Sequence, residues 1–335
     1  MKTLVSVQYL RAAAALAVVV FHTLQWLHGG FEVGRAGVDV FFVISGLIMW
    51  RITADKAVSP LAFLWRRVTR VAPAYWLATL TLAAIALAWP AFLVHVRPTW
   101  PHLALSLAFV PHNDPEGLPF PVLAPGWTLT YEAVFYLLFA AALAFARERR
   151  LLVVTSGLAA IAAAGFCYHP AYTLGANPMM LEFAAGAWLG KLAADGALPG
   201  RAWGFFLLGA GIAAFAALAV SGYVDELWRP LIWGVPALGI VAGAVSLEAH
   251  GPVFVSRVLR MLGDASYSIY LWHLAVIAAV AHTLGTGRPW LFVPAALAAA
   301  ILAGLAGRAV VERPALAILR AIPYPRRLAL KGTRP

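Results

Sequence analysis

The sequence predicts an all-α integral membrane protein. Hydrophobic residues make up 62% of the 335 residues, charged residues only 12%, and the mean hydropathy is +0.82. Soluble domains normally carry about a quarter of charged residues, so this composition does not suit one. The apolar residues also form runs of about 20, which fit helices crossing a ~30 Å hydrocarbon layer rather than the short alternating segments of a membrane barrel.

The apolar runs predict about ten transmembrane helices. Their approximate ranges are 6–28, 37–52, 72–90, 126–146, 150–167, 178–194, 203–221, 230–247, 265–284 and 289–311. The apolar segment 100–112 is too short to cross a membrane and is bracketed by prolines. It is therefore predicted to be a re-entrant or surface piece of a long loop.

Lysine and arginine residues set the orientation. Most of the 25 fall in alternate inter-helix segments, beginning with the N-terminus. The opposite segments carry Arg35, Arg97, Arg229 and Arg288. Because basic loops stay on the cytoplasmic side, both termini are predicted to be cytoplasmic.

The charge distribution argues against a nucleic-acid partner. The net charge is +11, but the basic residues occur in short clusters between apolar runs, which is typical of loops beside anionic lipid.

A single cysteine, Cys167, excludes an intramolecular disulfide and a cysteine-based metal cluster, and no metal is expected. The first segment holds Arg11 and is expected to be a mature helix rather than a signal peptide. We expect a membrane domain over 1–314 and a short basic cytoplasmic tail over 315–335.

Two polar residues stand out in the first predicted span. Arg11 and His22 are eleven residues apart, so they share a helix face and lie about 16 Å apart along its axis. A charged side chain deep in a membrane is costly and usually faces a protein interior or a water-filled cavity. One interpretation is that Arg11 and His22 line a polar path through the bilayer. The alternative is a snorkelling Arg11 and a packed, hydrogen-bonded His22.

Two carboxylates are predicted at a depth similar to that of His22. Asp39 lies just inside the outer end of the second span and could orient the imidazole, or it could simply favour the helix N-terminus. Glu132 lies about 9 Å into the fourth span and forms a polar stripe with Thr128 and Tyr136. An intramembrane carboxylate is by default a candidate functional residue.

Three arginines precede the third span. Arg66, Arg67 and Arg70 fall within about 100° on one side of a helix, and Pro73 marks the start of the span. Arginine forks match phosphate oxygens, which favours a phosphate-binding cluster. An ordinary positive loop is the alternative.

The ninth and tenth spans contribute further polar residues. Tyr270 and His273 follow Tyr267 in the ninth span. Their polar groups could serve either in helix packing or in substrate contact. Glu312 is expected to pair with Arg313 or with a loop arginine. Pro314 is expected to end the tenth span.

Six motifs, in this order, resemble the acyltransferase-3 family of multi-pass membrane acyltransferases. They are Arg11 with His22, GVDVFFVISG (37–46), RRVTRVAPAYW (66–76), GWTLTYEAVFY (126–136), SYSIYLWH (266–273) and VERP (311–314). The resemblance covers essentially the whole chain. The chain resembles the stand-alone form of the family, which lacks the C-terminal esterase-like domain that many relatives carry.

The resemblance implies transfer of an acyl group, most often acetyl, from cytoplasmic acyl-CoA to a hydroxyl of a cell-envelope or exported glycan at the outer face. The expected partners are acyl-CoA, a glycan or glycoside acceptor and the lipids of a bacterial-type inner membrane, and an oligomer is compatible with it. A transporter or flippase for a glycan or lipid, without acyl chemistry, is the alternative. Transporters commonly show inverted repeats, and no repeat is evident here.

The resemblance and the predicted depths together assign roles. The residues expected to hold the phosphates of acyl-CoA are Arg11, Arg66, Arg67 and Arg70. His22 is expected to act as general base or to carry the acyl group briefly, oriented by Glu132 or Asp39. The expected substrate contacts are Trp127, Tyr136, Tyr270 and His273, with Trp127 and Tyr136 as candidate oxyanion donors.

Overall fold

The computed structural model describes residues 4–93, 96–167, 177–223, 225 and 228–321. This part of the chain consists of helices and connecting segments and contains no β-strand. The α-helices are α1 (Val5–Gln25), α2 (Gly37–Thr53), α3 (Pro60–Ala88), α4 (Trp100–Leu107), α5 (Trp127–Ala142), α6 (Arg147–Cys167), α7 (Met180–Ala194), α8 (Arg201–Ser221), α9 (Val235–Ala249), α10 (Arg257–Leu284), α11 (Pro289–Gly307) and α12 (Arg313–Ala321). Short 3₁₀ turns precede α2 and α5, and π turns precede α9 and α12.

Seven helices among the described residues are long and apolar enough to cross a membrane. They contain α1, α2, α3, α8, α9, α10 and α11, and each coincides with one of the ten predicted spans. The other three predicted spans are helical as α5, α6 and α7 but are not among the seven. With 16 and 15 residues, α5 and α7 rise only about 24 Å or less. The segment 100–112 contains only the eight-residue helix α4, in which Trp100 is 85% exposed.

Helix α3 begins well before the predicted third span. The hydroxyl of Ser59 caps it by accepting a hydrogen bond from Ala62 N at 3.2 Å. Pro60 occupies the first turn, where its missing N–H is no loss. The helix then continues through Pro73. The arginine segment 66–70 therefore belongs to the same continuous helix as the span.

The prediction that Pro314 ends the tenth span is wrong. A π turn over Arg308–Glu312 leads directly into α12, where Pro314 lies in the first turn. Proline is tolerated there because the first N–H groups of a helix have no internal partner. The chain stays helical to Ala321, past the boundary expected at 314. Most of the predicted tail, 322–335, lies outside the described residues.

Helix α2 packs against α1, α7 and α9, and its contact with α7 is unusually close. A Cβ added to Gly46 would lie 2.1 Å from the carbonyl oxygen of Phe183, and one added to Gly186 would lie 2.0 Å from that of Val43. The two glycines therefore let the backbones of α2 and α7 touch, as small residues do between membrane helices. Helix α10 packs against both α1 and α11.

A carboxylate of α9 fixes the start of α1. Glu248 accepts hydrogen bonds from the backbone N–H groups of Val5 and Ser6, both at 2.8 Å, and from Ser6 Oγ at 2.5 Å. The first N–H groups of a helix lack internal partners and carry partial positive charge, so this contact is stabilising. It holds the end of α1 that contributes Val7 and Gln8 to the cavity described next.

Candidate active site

A cavity of about 450 Å³ lies between α1, α2, α3, α5 and α10. Along α2 its lining extends from Val38 to Ile52, about 21 Å of helical rise, which is about two thirds of a ~30 Å hydrocarbon layer. We call the end near Leu4 and Arg51 the inner end and the end near Val38 and Tyr270 the outer end. The helices thus enclose a deep channel-like space.

Arginines line the inner half of this cavity. Arg11, Arg67 and Arg70 were predicted to bind the donor, and all three face it. Arg66, the fourth predicted residue, is exposed and is not part of the lining. Residues three apart on a helix share a side, which explains why Arg67 and Arg70 face the cavity together. Arg51 also lines it, and the sequence interpretation did not single it out.

Glu312 holds Arg70 in place. The two form an ion pair between α3 and the π turn, and Ser268 Oγ donates a hydrogen bond to the second carboxylate oxygen at 3.0 Å. Glu312 is buried, so the paired carboxylate fixes the arginine rather than leaving it to sample solvent. Of the two partners that the sequence left open, the structure selects a helix α3 arginine over Arg313.

Three buried polar atoms on the cavity wall have no hydrogen-bond partner among the described residues. They are Gln8 Oε1, Arg67 Nε and Ser266 Oγ. Buried polar groups in native proteins are normally paired, and leaving one unpaired costs free energy. A polar ligand in this cavity would satisfy them, with Arg67 offering a charged donor.

Glu132 lies midway along the cavity. Its Oε1 accepts hydrogen bonds from Ser45 Oγ at 2.7 Å and from Tyr136 OH at 2.6 Å. The prediction that Glu132 lies at the depth of His22 does not hold, because its partner Ser45 lies eight residues further along α2 than Gly37, which already contacts Ala14 of α1. Arg11 is among the charges it interacts with, and no hydrogen bond joins it to His22 in the described part of the chain. Glu132 and Tyr136 both line the cavity.

Tyr270 closes the outer end. Its hydroxyl donates to the carbonyl oxygen of Pro125 at 3.1 Å and lies 3.1 Å from Thr128 Oγ1. The ring of Phe41 packs against that of Tyr270 at a centroid distance of 6.1 Å. This layer of α2, α5 and α10 side chains separates the cavity from the groups beyond it.

Two imidazoles meet beyond Tyr270. The ring centroids of His22 on α1 and His273 on α10 are 5.1 Å apart, and the Tyr270 ring is 5.7 Å from that of His273. His22 Nδ1 is hydrogen bonded to Gln25 Oε1 at 2.9 Å. His273 is fully buried, whereas His22 is partly exposed. The structure thus brings together two predicted residues that are 251 positions apart in the chain.

The prediction that Asp39 orients His22 is not supported by its position. Asp39 is completely buried and pairs with Arg229, through Nε at 3.1 Å and Nη2 at 2.9 Å. Arg229 also donates to the carbonyl oxygen of Arg35. The pair thereby ties α2 to the start of the π turn before α9. A buried charge needs a partner, and this one is satisfied within the protein.

Trp127 does not face the cavity. It borders a small pocket of about 20 Å³ on the outer side, together with His112, and its ring packs against Tyr131. The structure therefore separates Trp127 from Tyr136, the other candidate oxyanion donor. Within the described ranges, no group of three or more His, Cys, Asp or Glu side chains is arranged to hold a metal ion.

Sequence reasoning missed several residues of the site. Gln25 follows His22 by three positions on the same helix, and that spacing could have identified it as the partner. Ser45 lies within the motif GVDVFFVISG (37–46), but no catalytic or binding role was predicted for it from the sequence. Arg229 is 190 residues from Asp39, so no local signal could have joined them.

Known proteins resemble the chain over most of its length. The family described as an acyltransferase domain, acyltransferase-3, matches residues 4–308. The exopolysaccharide production protein ExoZ of Rhizobium meliloti (strain 1021) is 39% identical over 306 residues, covering 89% of this chain and 94% of the relative. No solved structure matches the chain.

Two further relatives are longer proteins. The peptidoglycan O-acetyltransferase OatA of Listeria monocytogenes serovar 1/2a is 26% identical over 352 residues, covering 92% of this chain and 55% of the relative. The O-acetyltransferase OatA of Staphylococcus aureus (strain NCTC 8325) is 26% identical over 312 residues, with 81% of this chain and 50% of the relative covered. The chain thus spans about half the length of these two relatives.

Proposed function

Because the chain belongs to the acyltransferase-3 family and is a multi-pass membrane O-acyltransferase, we propose that it moves an acyl group across the bilayer. The donor is cytoplasmic acyl-CoA, most simply acetyl-CoA. The acceptor is a hydroxyl of an exported or cell-envelope glycan at the outer face. The observation that carries this proposal is a cavity with an arginine-lined inner half that ends one layer below a pair of imidazoles.

The inner half of the cavity suits the phosphates of acyl-CoA. Arg11, Arg67 and Arg70 present guanidinium groups there, and these form strong bidentate bonds with phosphate oxygens. Arg67 Nε has no partner among the described residues, so a bound phosphate would satisfy it. The apolar walls further out, including Phe42 and Ile48, leave room for a thin pantetheine arm.

The names of the relatives support a glycan acceptor. One relative is named for exopolysaccharide production, and two are named O-acetyltransferases, one of them of peptidoglycan. The match to the exopolysaccharide protein covers 94% of that protein's length. We therefore favour an exported polysaccharide hydroxyl as the acceptor.

His22 supplies the base in this proposal. Its Nδ1 donates to Gln25 Oε1, because an amide oxygen can only accept, and the neutral ring then presents a bare Nε2. Nε2 takes the proton of the acceptor hydroxyl while the oxygen attacks the thioester carbonyl carbon. The C–S bond breaks, the new ester bond forms, and the CoA thiolate takes up one proton. The reaction therefore consumes no proton overall.

The reacting groups must meet at the Tyr270 layer. The cavity ends at Tyr270 and Thr128, and the imidazoles lie on the other side. A shift of the Tyr270 side chain would join the two compartments. Glu132 lies deeper and hydrogen bonds Ser45 and Tyr136, so we assign it to shaping the donor path rather than to orienting His22.

We propose ten spans with both termini cytoplasmic, in a bacterial-type inner membrane. The seven long apolar helices support most of this topology. Helices α5 to α7 complete it, since α7 packs along α2 through Gly46 and Gly186. The inner end of the cavity then opens to the cytoplasm, where acyl-CoA is available. We assign residues 1–314 to the membrane acyltransferase domain.

Reconstituted protein tests the function directly. Proteoliposomes would receive labelled acetyl-CoA and the de-esterified glycan of a strain that lacks the gene. We expect the wild type to move label to the glycan and release one free CoA thiol per ester. A transporter would move material without releasing thiol. If the wild type releases no thiol with this glycan or with any envelope fraction of that strain, the proposal is wrong.

His22→Ala should lower the rate of transfer by about 10²- to 10⁴-fold, the usual contribution of a positioned general base. The matched control is His28→Asn, which removes an exposed imidazole of the same outer segment. His28 has a φ of 53°, a conformation that asparagine tolerates, so this control should fold and keep its activity. Equal activity in both variants would remove His22 from the chemistry.

A further inference from the structure

The two imidazoles beyond Tyr270 are held in the same tautomer. His22 Nδ1 is bound to Gln25 Oε1 at 2.9 Å, and His273 Nδ1 is bound to the carbonyl oxygen of Tyr270 at 2.6 Å. Both partners are oxygens without a proton, so both Nδ1 atoms must carry the hydrogen. Each neutral ring therefore offers Nε2 as a hydrogen-bond acceptor and nothing else.

Neither Nε2 atom has a partner in the part of the chain that the structure describes. His273 is 0% exposed, and its Nε2 is buried without a hydrogen bond. A buried acceptor left unpaired costs stability, and an apolar side chain would fill the same space without that cost. Packing alone therefore gives no reason for a histidine at position 273.

The other polar groups nearby are engaged elsewhere. Arg35, whose charge acts on His22, is paired with Glu32 at 3.6 Å. The Tyr270 hydroxyl is already engaged with Pro125 O and Thr128 Oγ1. Asp39 and Arg229 are paired with each other. The ring centroids of the two histidines are 5.1 Å apart, so one sugar ring can contact both imidazoles.

We propose that His273 binds a second hydroxyl of the acceptor, adjacent to the hydroxyl that His22 deprotonates, so that the site recognises a pair of neighbouring sugar hydroxyls. This inference rests on the proposed function and narrows its acceptor. The two Nε2 atoms can only accept hydrogen bonds, so they favour ligand groups that donate them. Hydroxyl groups donate hydrogen bonds and bring no charge into an apolar site. Phosphate and carboxylate groups, which only accept when ionised, are disfavoured there.

The test uses His273→Leu and His273→Gln in the proteoliposome assay. Leucine removes the acceptor, whereas glutamine restores an oxygen near the position of Nε2. We expect His273→Leu to raise the KM for the de-esterified glycan by about 10-fold or more, with kcat nearly unchanged, because the lost bond is present in both ground and transition states. His273→Gln should recover most of that loss. The KM for acetyl-CoA should stay unchanged in both.

Several outcomes would overturn the inference. Leucine and glutamine variants with the same KM for the glycan would show that no acceptor atom is needed at position 273. A collapse of kcat with an unchanged KM would make His273 a proton-transfer group instead. Should the leucine variant fail to fold, His273→Met provides a flexible apolar replacement for the same comparison.

Failure of this inference can be distinguished from failure of the proposed function. If the wild type releases no CoA thiol, both the proposed function and the inference about His273 are wrong. If the wild type transfers label and His22→Ala does not, but His273→Leu retains the wild-type KM for the glycan, only the second-hydroxyl contact is wrong.

Discussion

The inner and outer ends of the molecule treat charge in opposite ways. At the inner end, Arg67 faces the cavity with an Nε that has no partner among the described residues. At the outer end, Asp39 and Arg229 are 0% and 3% exposed and neutralise each other, and the side chains proposed to meet the acceptor are the imidazoles of His22 and His273. The unpartnered guanidinium atom thus lies at the inner end, whereas the Asp39–Arg229 pair at the outer end is neutralised within the protein.

This difference matches the chemistry of the two substrates proposed above. Acyl-CoA carries phosphates, which need cations and hydrogen-bond donors. A sugar hydroxyl is neutral and needs an acceptor that can take its proton. The same bundle therefore places donors at one end of α1, at Arg11, and acceptors at the other, at His22. In the proposed function, donor binding at Arg11 and acceptor binding at His22 are separated by about 16 Å along one helix.

The largest effect is expected from breaking the outer ion pair. Asp39→Ala would remove the carboxylate that accepts two hydrogen bonds from the buried Arg229 guanidinium, and breaking a buried ion pair typically costs ~3–5 kcal/mol. The free energy of unfolding of the detergent-solubilised protein, from denaturant titration, would measure the loss. A matched control is Glu116→Ala, which removes the exposed partner of Arg97 on the same side and should cost less than ~1 kcal/mol. Equal losses would mean that the buried pair has no special structural role.

The next effect is expected at the inner end, on binding rather than on stability. Arg67→Ala should weaken acyl-CoA binding about 10- to 100-fold, since hydrogen bonds to charged groups contribute ~1.5–3 kcal/mol. Arg66→Ala changes the adjacent residue on the same helix, which is exposed and outside the cavity lining, and should bind normally. Calorimetric titration with acetyl-CoA would measure both. If the two variants lose equal affinity, the arginines act only as a diffuse positive surface.

The sequence was sufficient for elements governed by hydropathy and local spacing. Seven predicted spans coincide with long apolar helices, and Gly37 begins α2 as the second predicted range does. The side of α3 that carries Arg67 and Arg70 follows from their three-residue spacing. Boundaries set by capping were harder to predict, because Ser59 and Pro60 start α3 well before the apolar run begins.

Long-range pairing could not be predicted from the sequence. Counting residues along each helix predicted similar depths for Asp39, Glu132 and His22, but the packing of neighbouring helices separates them. Asp39 instead pairs with Arg229, and Glu132 with Ser45. The imidazole contact between α1 and α10 likewise depends on how two distant helices cross. Hydrophobic periodicity defines which residues lie on a helix face, but not which residue of another helix they meet.

The smallest effect is expected in the outer loop, where a second imidazole pair has a different role. His102 Nδ1 donates to His112 Nε2 at 2.8 Å, and His112 Nδ1 donates to the carbonyl oxygen of Val110 at 2.7 Å. This pair is satisfied internally, unlike His22 and His273. Burial, and to a lesser degree the charge of His112, lower the pKa of His102 below its ordinary value of 6.5, although Asp114 acts in the opposite direction.

A lowered pKa means that the folded loop binds protons less well than the unfolded loop, so its stability should be full above pH ~6.5 and should fall as the pH drops through that value. Hydrogen exchange at Val122 N, which donates to Ser106 Oγ at 3.0 Å, reports the opening of this loop. We expect a lower opening free energy at about pH 5.5 than at about pH 7.5. His102→Asn keeps a donor toward His112 but does not titrate, so the pH dependence should flatten. An unchanged pH dependence in that variant would place the titrating group elsewhere and leave His102 with packing alone.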